Sequence, residues 1–287
     1  MPIRKRSFSA ANQAVHGLPA DGCNSPVTID LKADGHVHTR FCNHASGEMD
    51  DYVRAALAKG LESITFLEHL EAEIRYPERT WLTDTDFDSF FQEGNRLREK
   101  YRGALTINLG VEAGFNPSAV ARLREMLARY PWDRVGLSYH FFSNGKQHFN
   151  MVSRRPENMT GLAALGLDRV LSGYFAGLIQ AVREIDGQVL CHVDAVMRHY
   201  PHLSFNRSHW QQVEQLLDLV SQKNMGLELN TSGFAIRGEP YPCQRIVAMA
   251  VRRNIPLIPG SDAHRPDQVG RYFDRLPEFL APGNPAQ

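Results

Sequence analysis

Asp34-Gly35-His36-Val37-His38 is the stretch that decides the fold. It closes a short apolar-leaning run, residues 27–33, and reads as the end of a β-strand. Side chains alternate faces along a strand, so His36 and His38 point the same way. Two imidazoles on one face, at a strand end, make a start to a metal site. An isolated His-x-His on a surface strand is more often chance than a ligand pair. The reading therefore depends on whether further ligands stand at matching positions.

Outward from that stretch, strands and helices alternate. Residues 49–59 read as an amphipathic helix carrying Tyr52, Val53, Ala56 and Leu57 on one side, stopped by Gly60. Residues 63–67 are a buried strand ending in Glu68-His69. A charged loop, 71–83, leads to a helix over 84–101 with Asp84 or Asp86 as its cap. Residues 104–111 form a strand ending at Glu112. A helix runs from Asn116-Pro117-Ser118 to about Arg129, and strand 134–138 ends at Tyr139-His140. Residues 141–158 read as an irregular insertion with Lys146, His148, Arg154 and Arg155. Helix 168–185 leads to strand 187–191, which ends at His192-Val193-Asp194. A loop with Arg198, His199, Tyr200 and His202 follows, then helix 207–222. Strand 225–229 ends at Asn230-Thr231-Ser232, helix 242–253 follows, and strand 255–259 ends at Ser261-Asp262-Ala263-His264. This alternation, repeated about seven times, predicts an α/β chain: a distorted (β/α)7 TIM-like barrel over residues 31–287. Residues 1–30 form a loosely held extension. A doubly wound open sheet is the runner-up, and no Gly-x-Gly-x-x-Gly turn marks a dinucleotide site.

Composition narrows the function. The chain has 287 residues, 43% hydrophobic and 22% charged, with 32 basic residues balancing 32 acidic ones. Such a chain can bury a sizeable core, and it lacks the basic excess of a general polyanion binder. Nucleic acid is not expected as a partner. Cys23, Cys42, Cys191 and Cys243 form no Cys-x-x-Cys pair, so neither a zinc knuckle nor a redox motif is predicted. No apolar run is long enough to span a membrane, and residues 7–24 lack the core of a signal peptide. The expectation is a soluble, cytoplasmic protein of unspecified oligomeric state.

The polar residues at the strand ends are His36 and His38, His69, Glu112, His140, His192, and Asp262 with His264. His44 lies in the first strand-to-helix loop. In a parallel barrel every strand's C-terminal end opens onto one face, so residues far apart in sequence converge there. Imidazoles and carboxylates without thiolate suit Zn, Mn or Fe in a catalytic role. The donors are too many for one ion, so two or three divalent ions sharing a carboxylate are expected, with Glu112 as the bridge. Such a cluster activates water and clamps both oxygens of a displacement at phosphorus.

The ordered motifs resemble those of the polymerase-and-histidinol-phosphatase (PHP) superfamily. They are Asp34-Gly35-His36-Val37-His38, Glu68-His69, Gly110-Val111-Glu112, Ser138-Tyr139-His140 and Ser261-Asp262-Ala263-His264. Leu229-Asn230-Thr231-Ser232-Gly233, Cys191-His192-Val193-Asp194 with Arg198, and Val269-Gly270-Arg271-Tyr272-Phe273 are similar to the histidinol-phosphatase branch. The resemblance spans roughly residues 33–275. It implies a trinuclear centre: His36, His38, Glu112 and Asp262 on one ion, His44, His69 and His264 on a second, and Glu112, His140 and His192 on a third. It also implies hydrolysis of a small phosphate monoester, with L-histidinol phosphate, and hence histidine biosynthesis, as the substrate to which the branch points. Residues 1–30 and the 141–155 stretch depart from the family pattern.

The expected chemistry is in-line attack on phosphorus by a metal-bridging hydroxide. Arg198, Asp262 and His264 stand at the reacting end, and Arg198, then Arg154 or Arg155, bind phosphoryl oxygens, because a guanidinium fork matches two of them. Asp194 and Glu68 are candidates for orienting ligand imidazoles. Tyr76, Trp81 and Phe141 could line a pocket or pack a loop, and His16, His148, His199, His202 and His209 read as surface, loop or packing residues. Competing readings are an amidohydrolase-type hydrolase, a phosphoesterase acting on another small ester or on nucleotides or nucleic acid, and a non-enzymatic metal-binding scaffold. No lysine ends a central strand to serve the first of these.

Overall fold

The computed structural model describes residues 13–15, 27–200 and 202–281. His16, Cys23 and most of the 1–30 extension lie outside these residues. An antiparallel pair, β1 (Gln13–Val15) and β2 (Val27–Ile29), precedes the barrel. Then come β3 (Ala33–Val37), α1 (Met49–Ala58), β4 (Ser63–Glu71), α2 (Asp84–Lys100), β5 (Thr106–Gly114), α3 (Val120–Leu127) and β6 (Arg134–Ser138). A hairpin, β7 (Phe141–Ser143) and β8 (His148–Asn150), is followed by α4 (Pro156–Leu165), α5 (Leu167–Glu184) and β9 (Val189–Leu190). The chain finishes with α6 (Arg207–Gln222), β10 (Gly226–Asn230), α7 (Phe234–Arg237), α8 (Gln244–Val251), β11 (Leu257–Gly260) and α9 (Leu276–Leu280).

One 7-stranded sheet runs in the order β11-β10-β9-β6-β5-β4-β3, with every neighbouring pair parallel. Its strands are buried on both faces, as helical crossovers require. In β4, for example, Ile64 through Glu68 are all buried. The helices turn apolar stripes inward: Tyr52, Val53 and Ala56 from α1, and Val170, Leu171, Tyr174, Phe175 and Leu178 from α5. The sheet curls until its edges meet, where Val37 bridges Ala263. The Asp262 N–H donates to His36 O (2.8 Å) and the His38 N–H to Ala263 O (2.9 Å). The result is a nearly closed (β/α)7 barrel.

Asp34 clasps that seam. Its buried carboxylate accepts from the N–H groups of Ser261 (2.9 Å), Gly270 (2.8 Å) and His36 (3.3 Å). Beside it, any Cβ on Gly35 would lie 2.8 Å from Pro259 O and 2.9 Å from both the Arg134 guanidinium and Ile258. The first Asp-Gly of the motif thus serves closure, and the two histidines after it face the mouth.

Several boundaries differ from the sequence reading. Residues 27–33 are not one strand: a turn at Leu31-Lys32 separates β2 from β3, and the motif's first four residues lie within β3, with His38 just past its end. Strands β4 and β5 run past Glu68-His69 and Glu112, since both are central and pair along their full length. The cap of α2 is Thr83, whose side chain accepts from the Asp86 N–H, with Asp86 reciprocating at N3. Residues 141–158 are not irregular: they form the β7–β8 hairpin and begin α4, a helix that the periodicity did not reveal because its two faces are similarly apolar. Among the described residues no single helix is long and apolar enough to cross a membrane. The α4–α5 pair is long and apolar only when taken together, and it bends by 93° with α5 packed in the core.

Removing the clasp tests its weight. Asp34→Ala would strand three buried N–H groups and is expected to cost about 2–4 kcal/mol, judged from buried hydrogen bonds to a charged acceptor. Urea unfolding of the metal-free protein measures this, and a loss under about 0.5 kcal/mol, the size of an ordinary surface change, would show that the seam holds without it.

Candidate metal centre

Every candidate ligand sits at the C-terminal mouth of the barrel, and the strand geometry explains why. His36 follows the pleat of β3, and His38 sits one step past its end. Their Nε2 atoms come within 2.8 Å of each other, so they share a face as expected. His69 (β4) and Glu112 (β5) are register partners on adjacent strands. His140 and His192 follow β6 and β9, and Asp262 and His264 follow β11. His192 and Asp262 take positive φ angles of 26° and 51°. Non-glycine residues adopt such conformations at a cost that surrounding contacts must cover, and they concentrate at functional sites.

Glu112 is the hub. Only 1% exposed, it turns its two oxygens to opposite groups. Oε1 lies 2.6 Å from His192 Nε2 and 3.1 Å from His140 Nε2. Oε2 lies 2.8 Å from His69 Nδ1, 3.6 Å from His36 Nε2 and 3.7 Å from His38 Nε2. Asp262 Oδ1 adds to the second group, 3.4 Å from His38 Nε2 and 3.9 Å from His36 Nε2. Farther toward solvent, His44 and His264 face each other at 2.8 Å between Nε2 atoms, with His69 completing a trio of donors within 4.8 Å. All the metal-ligand candidates read from the sequence are therefore brought together.

The arrangement suits cations. Two pairs of imidazole nitrogens, His36 with His38 and His44 with His264, aim lone-pair positions at one another. Glu112 Oε2 and His38 Nδ1 are buried with no hydrogen-bond partner. Divalent ions among these donors would meet the paired Nε2 atoms and Glu112 Oε2, while His38 Nδ1 faces Glu68 on the other edge of its ring. Electrostatics divide the histidines. Burial alone would push His36, His38 and His140 down, but neighbouring carboxylates raise all three, with His140 reaching about 10 beside Glu112 and Glu71. Burial and the cationic His38 lower His44, His69 and His264, the last to about 3. Burial would raise Glu112 and Asp262 too, yet the surrounding imidazoles hold both well below the carboxylate range. Without metal, the carboxylates draw protons toward the imidazoles on both sides of Glu112.

Behind the ligands stand carboxylates that the sequence reading passed over. Glu71 Oε1 accepts from His140 Nδ1 (2.8 Å), and Glu228 Oε1 from His36 Nδ1 (2.6 Å). The signal for Glu228 was a lone acid inside the apolar run Gly226–Asn230, where burial on both faces leaves no solvent to receive it. Glu68 accepts from the Thr39 N–H and hydroxyl, and its other oxygen stays 3.9 Å from His38 Nδ1, too far for the orienting bond expected. Asp194 orients no imidazole. It pairs with Arg237 through two bonds (3.0 and 3.1 Å) and accepts from the Cys243 N–H. Cys42 and Cys191 also approach the cluster, each within 4.8 Å of ligand atoms, and burial pushes both thiols up in the metal-free protein.

The arginines spread more widely. Arg198 is half-buried with its guanidinium 5.1 Å from the Tyr241 ring centroid, and its Nε has no partner. Arg154 and Arg155 are exposed, and Arg155 pairs with Glu78. That pair joins two loops at the mouth. His148 and Arg75 exchange two backbone-anchored bonds (both 3.0 Å), and Asn158 donates to the Tyr76 hydroxyl (2.8 Å). Tyr76 and Trp81 both pack on Phe141, whose ring meets His140 edge-on. His199 bonds Val152 O, His202 is exposed, and His209 is a buried member of the α6 capping box.

A nearly closed parallel barrel gathering imidazoles and carboxylates at its C-terminal mouth has the build of a barrel metalloprotein. The sequence matches the PHP domain over residues 34–232 and the PHP-associated region over residues 240–280, and the chain belongs to the PHP family. A protein named "Probable histidinol-phosphatase" from Deinococcus radiodurans is 29% identical over 86% of this chain and 92% of its own length. The histidinol-phosphatase of Bacillus subtilis is 27% identical over 86% of this chain and 98% of its own. The fold is shared with the histidinol phosphate phosphatase of Lactococcus lactis, solved with Zn, L-histidinol and phosphate. Its TM-score is 0.69 at 20% identity, covering 87% of this chain and 92% of that one.

The charge balance has a measurable consequence. His140 is protonated in the metal-free protein up to about pH 10, so cations binding at neutral pH must expel protons. Calorimetric titrations of metal into the metal-free protein, in buffers of different ionisation enthalpy, are expected to show net proton release and an affinity that rises with pH. Proton-neutral binding would contradict the ion pairs described. In the metal-free protein the raised His140 contributes stability that is full below pH 6.5 and lost as pH rises through about 10.

Proposed function

We propose that this chain is a cytoplasmic, metal-dependent phosphomonoesterase that hydrolyses L-histidinol phosphate to L-histidinol and phosphate, a reaction of histidine biosynthesis. The observation that carries the reading is the Glu112 carboxylate, shared between two imidazole groups at the barrel mouth. The names of the Deinococcus and Bacillus relatives, and the ligands of the Lactococcus structure, support the substrate. Residues 31–287 form the hydrolase domain and residues 1–30 an extension to it.

Three donor groups favour three ions of Zn, Mn or Fe. His36, His38, Glu112 and Asp262 hold one. His44, His69 and His264 hold the second, and Glu112, His140 and His192 the third. Bound ions supply Lewis acidity, which lowers the pKa of water and neutralises charge on phosphoryl oxygens. The chain's own residues do the rest. Asp262 and His264, at 13% and 26% side-chain exposure, are assigned to the substrate side, which the exposed His44 also borders. Arg198 takes phosphoryl oxygens with its unpartnered Nε edge, and Arg154 and Arg155 draw the anion toward the mouth. The Tyr76–Trp81–Phe141 wall beside His140 excludes water from the reacting end.

Phosphate release from L-histidinol phosphate, against a panel of sugar and nucleoside phosphates with metal content measured in parallel, tests the assignment. Activity is expected to vanish on chelation and return with metal. Glu112→Gln is expected to lower kcat/KM by at least about 10²-fold, the scale of losing one principal electrostatic contact. Arg198→Ala is expected to raise KM, and an unchanged KM with metals intact would remove that arginine from the site. Turnover of other esters with none of histidinol phosphate would overturn the substrate.

A further inference from the structure

Glu228 lies at the floor of the site, 2% exposed, at the centre of β10. Its two oxygens are used by ligands of two different groups. Oε1 accepts from the His36 imidazole Nδ1–H at 2.6 Å and from Asn230 Nδ2 at 3.3 Å. Oε2 accepts from the backbone N–H of His192 at 2.7 Å. His36 belongs with His38 and Asp262, on the Oε2 side of Glu112, whereas His192 belongs with His140, on the Oε1 side. All three groups around Glu228 are donors, so only a side chain that accepts on both oxygens fits.

The surroundings are cut to receive it. A Cβ on Gly260 would lie 2.3 Å from Glu228 Oε1 and 2.8 Å from His36 Cβ, so the neighbouring strand must present glycine there. His192 holds a φ of 26°, a conformation that a hydrogen bond on its own N–H helps to fix. Glu71 offers the contrast. Its Oε1 meets His140 Nδ1, but its Oε2 has no partner.

We propose that Glu228 is a positioning residue that couples metal occupancy of the His36 group to that of the His192 group: one carboxylate aims a ligand of each. By accepting the Nδ1 proton of His36 it keeps the Nε2 lone pair free toward the mouth. By accepting the His192 N–H it holds that residue's backbone in the conformation that turns its ring to Glu112. A second-layer carboxylate usually serves one ligand, and this one serves two. The inference rests on the metal centre proposed above.

Replacement by the amide separates the cases. Glu228→Gln conserves volume but puts an NH2 against either the His192 N–H or His36 Nδ1. In the second arrangement the imidazole proton moves to Nε2, where it blocks a metal. In Glu71→Gln the amide can keep its oxygen on His140 and turn its NH2 to the partnerless side. Metal-free proteins are titrated with Zn²⁺ or Mn²⁺ in competition with a chromophoric chelator, and bound metal is counted by mass spectrometry. Relative to wild type, Glu228→Gln is expected to weaken two sites together by roughly 10–100-fold each, the usual effect of losing such a partner. Glu71→Gln is expected to weaken one at most. Circular dichroism of the metal-free variants checks folding. If Glu228→Gln is misfolded, Glu228→Asp takes its place, since the shorter acid keeps the charge yet cannot span both partners. Loss confined to one site, or to none, would overturn the coupling. Wild-type protein that takes up no metal would overturn the metal centre itself, and is recognised without any variant.

Discussion

The Glu112 carboxylate is a negative charge placed where water cannot reach it, and the rest of the mouth is arranged around that fact. A buried ion without compensation costs several kcal/mol. Here the compensation comes from imidazoles on several strands, each approaching one of the two oxygens. In the absence of metal, the neighbouring carboxylates raise His36, His38 and His140, and a proton on His140 supplies positive charge. Divalent cations supply it more compactly and meet the unpartnered Glu112 Oε2 as well. The same residues thus tolerate two states, one balanced by protons and the other by metal.

Barrel architecture makes this focus possible. No helix or hairpin could bring residues as distant as 36 and 264 to one point, but parallel strands all deliver their C-terminal ends to one rim. The rim is then furnished by loops of different kinds. The one after β4 and the β7–β8 hairpin lock together through Arg75, His148, Glu78 and Arg155, raising an aromatic wall beside His140. The loops after β9 and β10 are tied instead by Asp194 and Arg237 beneath Tyr241.

What could be read from the chain followed from periodicity and side-chain chemistry. The i, i+2 spacing of His36/His38 is a strand property, and polar residues ending apolar runs are conspicuous, so the candidate donors could be picked out, although Asp262 and His264 lie past the end of β11. The shared ring face of His36 and His38, their 2.8 Å approach, and the sevenfold barrel agree with the reading. Partners decided by tertiary context were not legible. Glu228 and Glu71 sit inside strands, where the sequence shows an acid but not which imidazole it meets. The Thr83 cap was obscured by two aspartates that looked equally suitable, although one of them completes the box from N3. The β7–β8 hairpin has strands of 3 residues, too short for alternation to register. Asp194 is a candidate for orienting an imidazole by sequence, yet its φ of 96° turns the chain, and its carboxylate pairs with Arg237.

The seam between β3 and β11 carries a consequence for the protein's birth. The bonds that close the barrel, from Asp262 to His36 and from His38 to Ala263, join the first ligand-bearing strand to the last. During synthesis the chain emerges N-terminus first, at about 5–20 residues per second. His36 and His38 therefore wait through most of translation before their partners at 262 and 264 leave the ribosome. A nascent chain offers scattered imidazoles but no enclosed cluster. The enclosed set of donors exists only once the barrel has closed, after residue 264 has emerged.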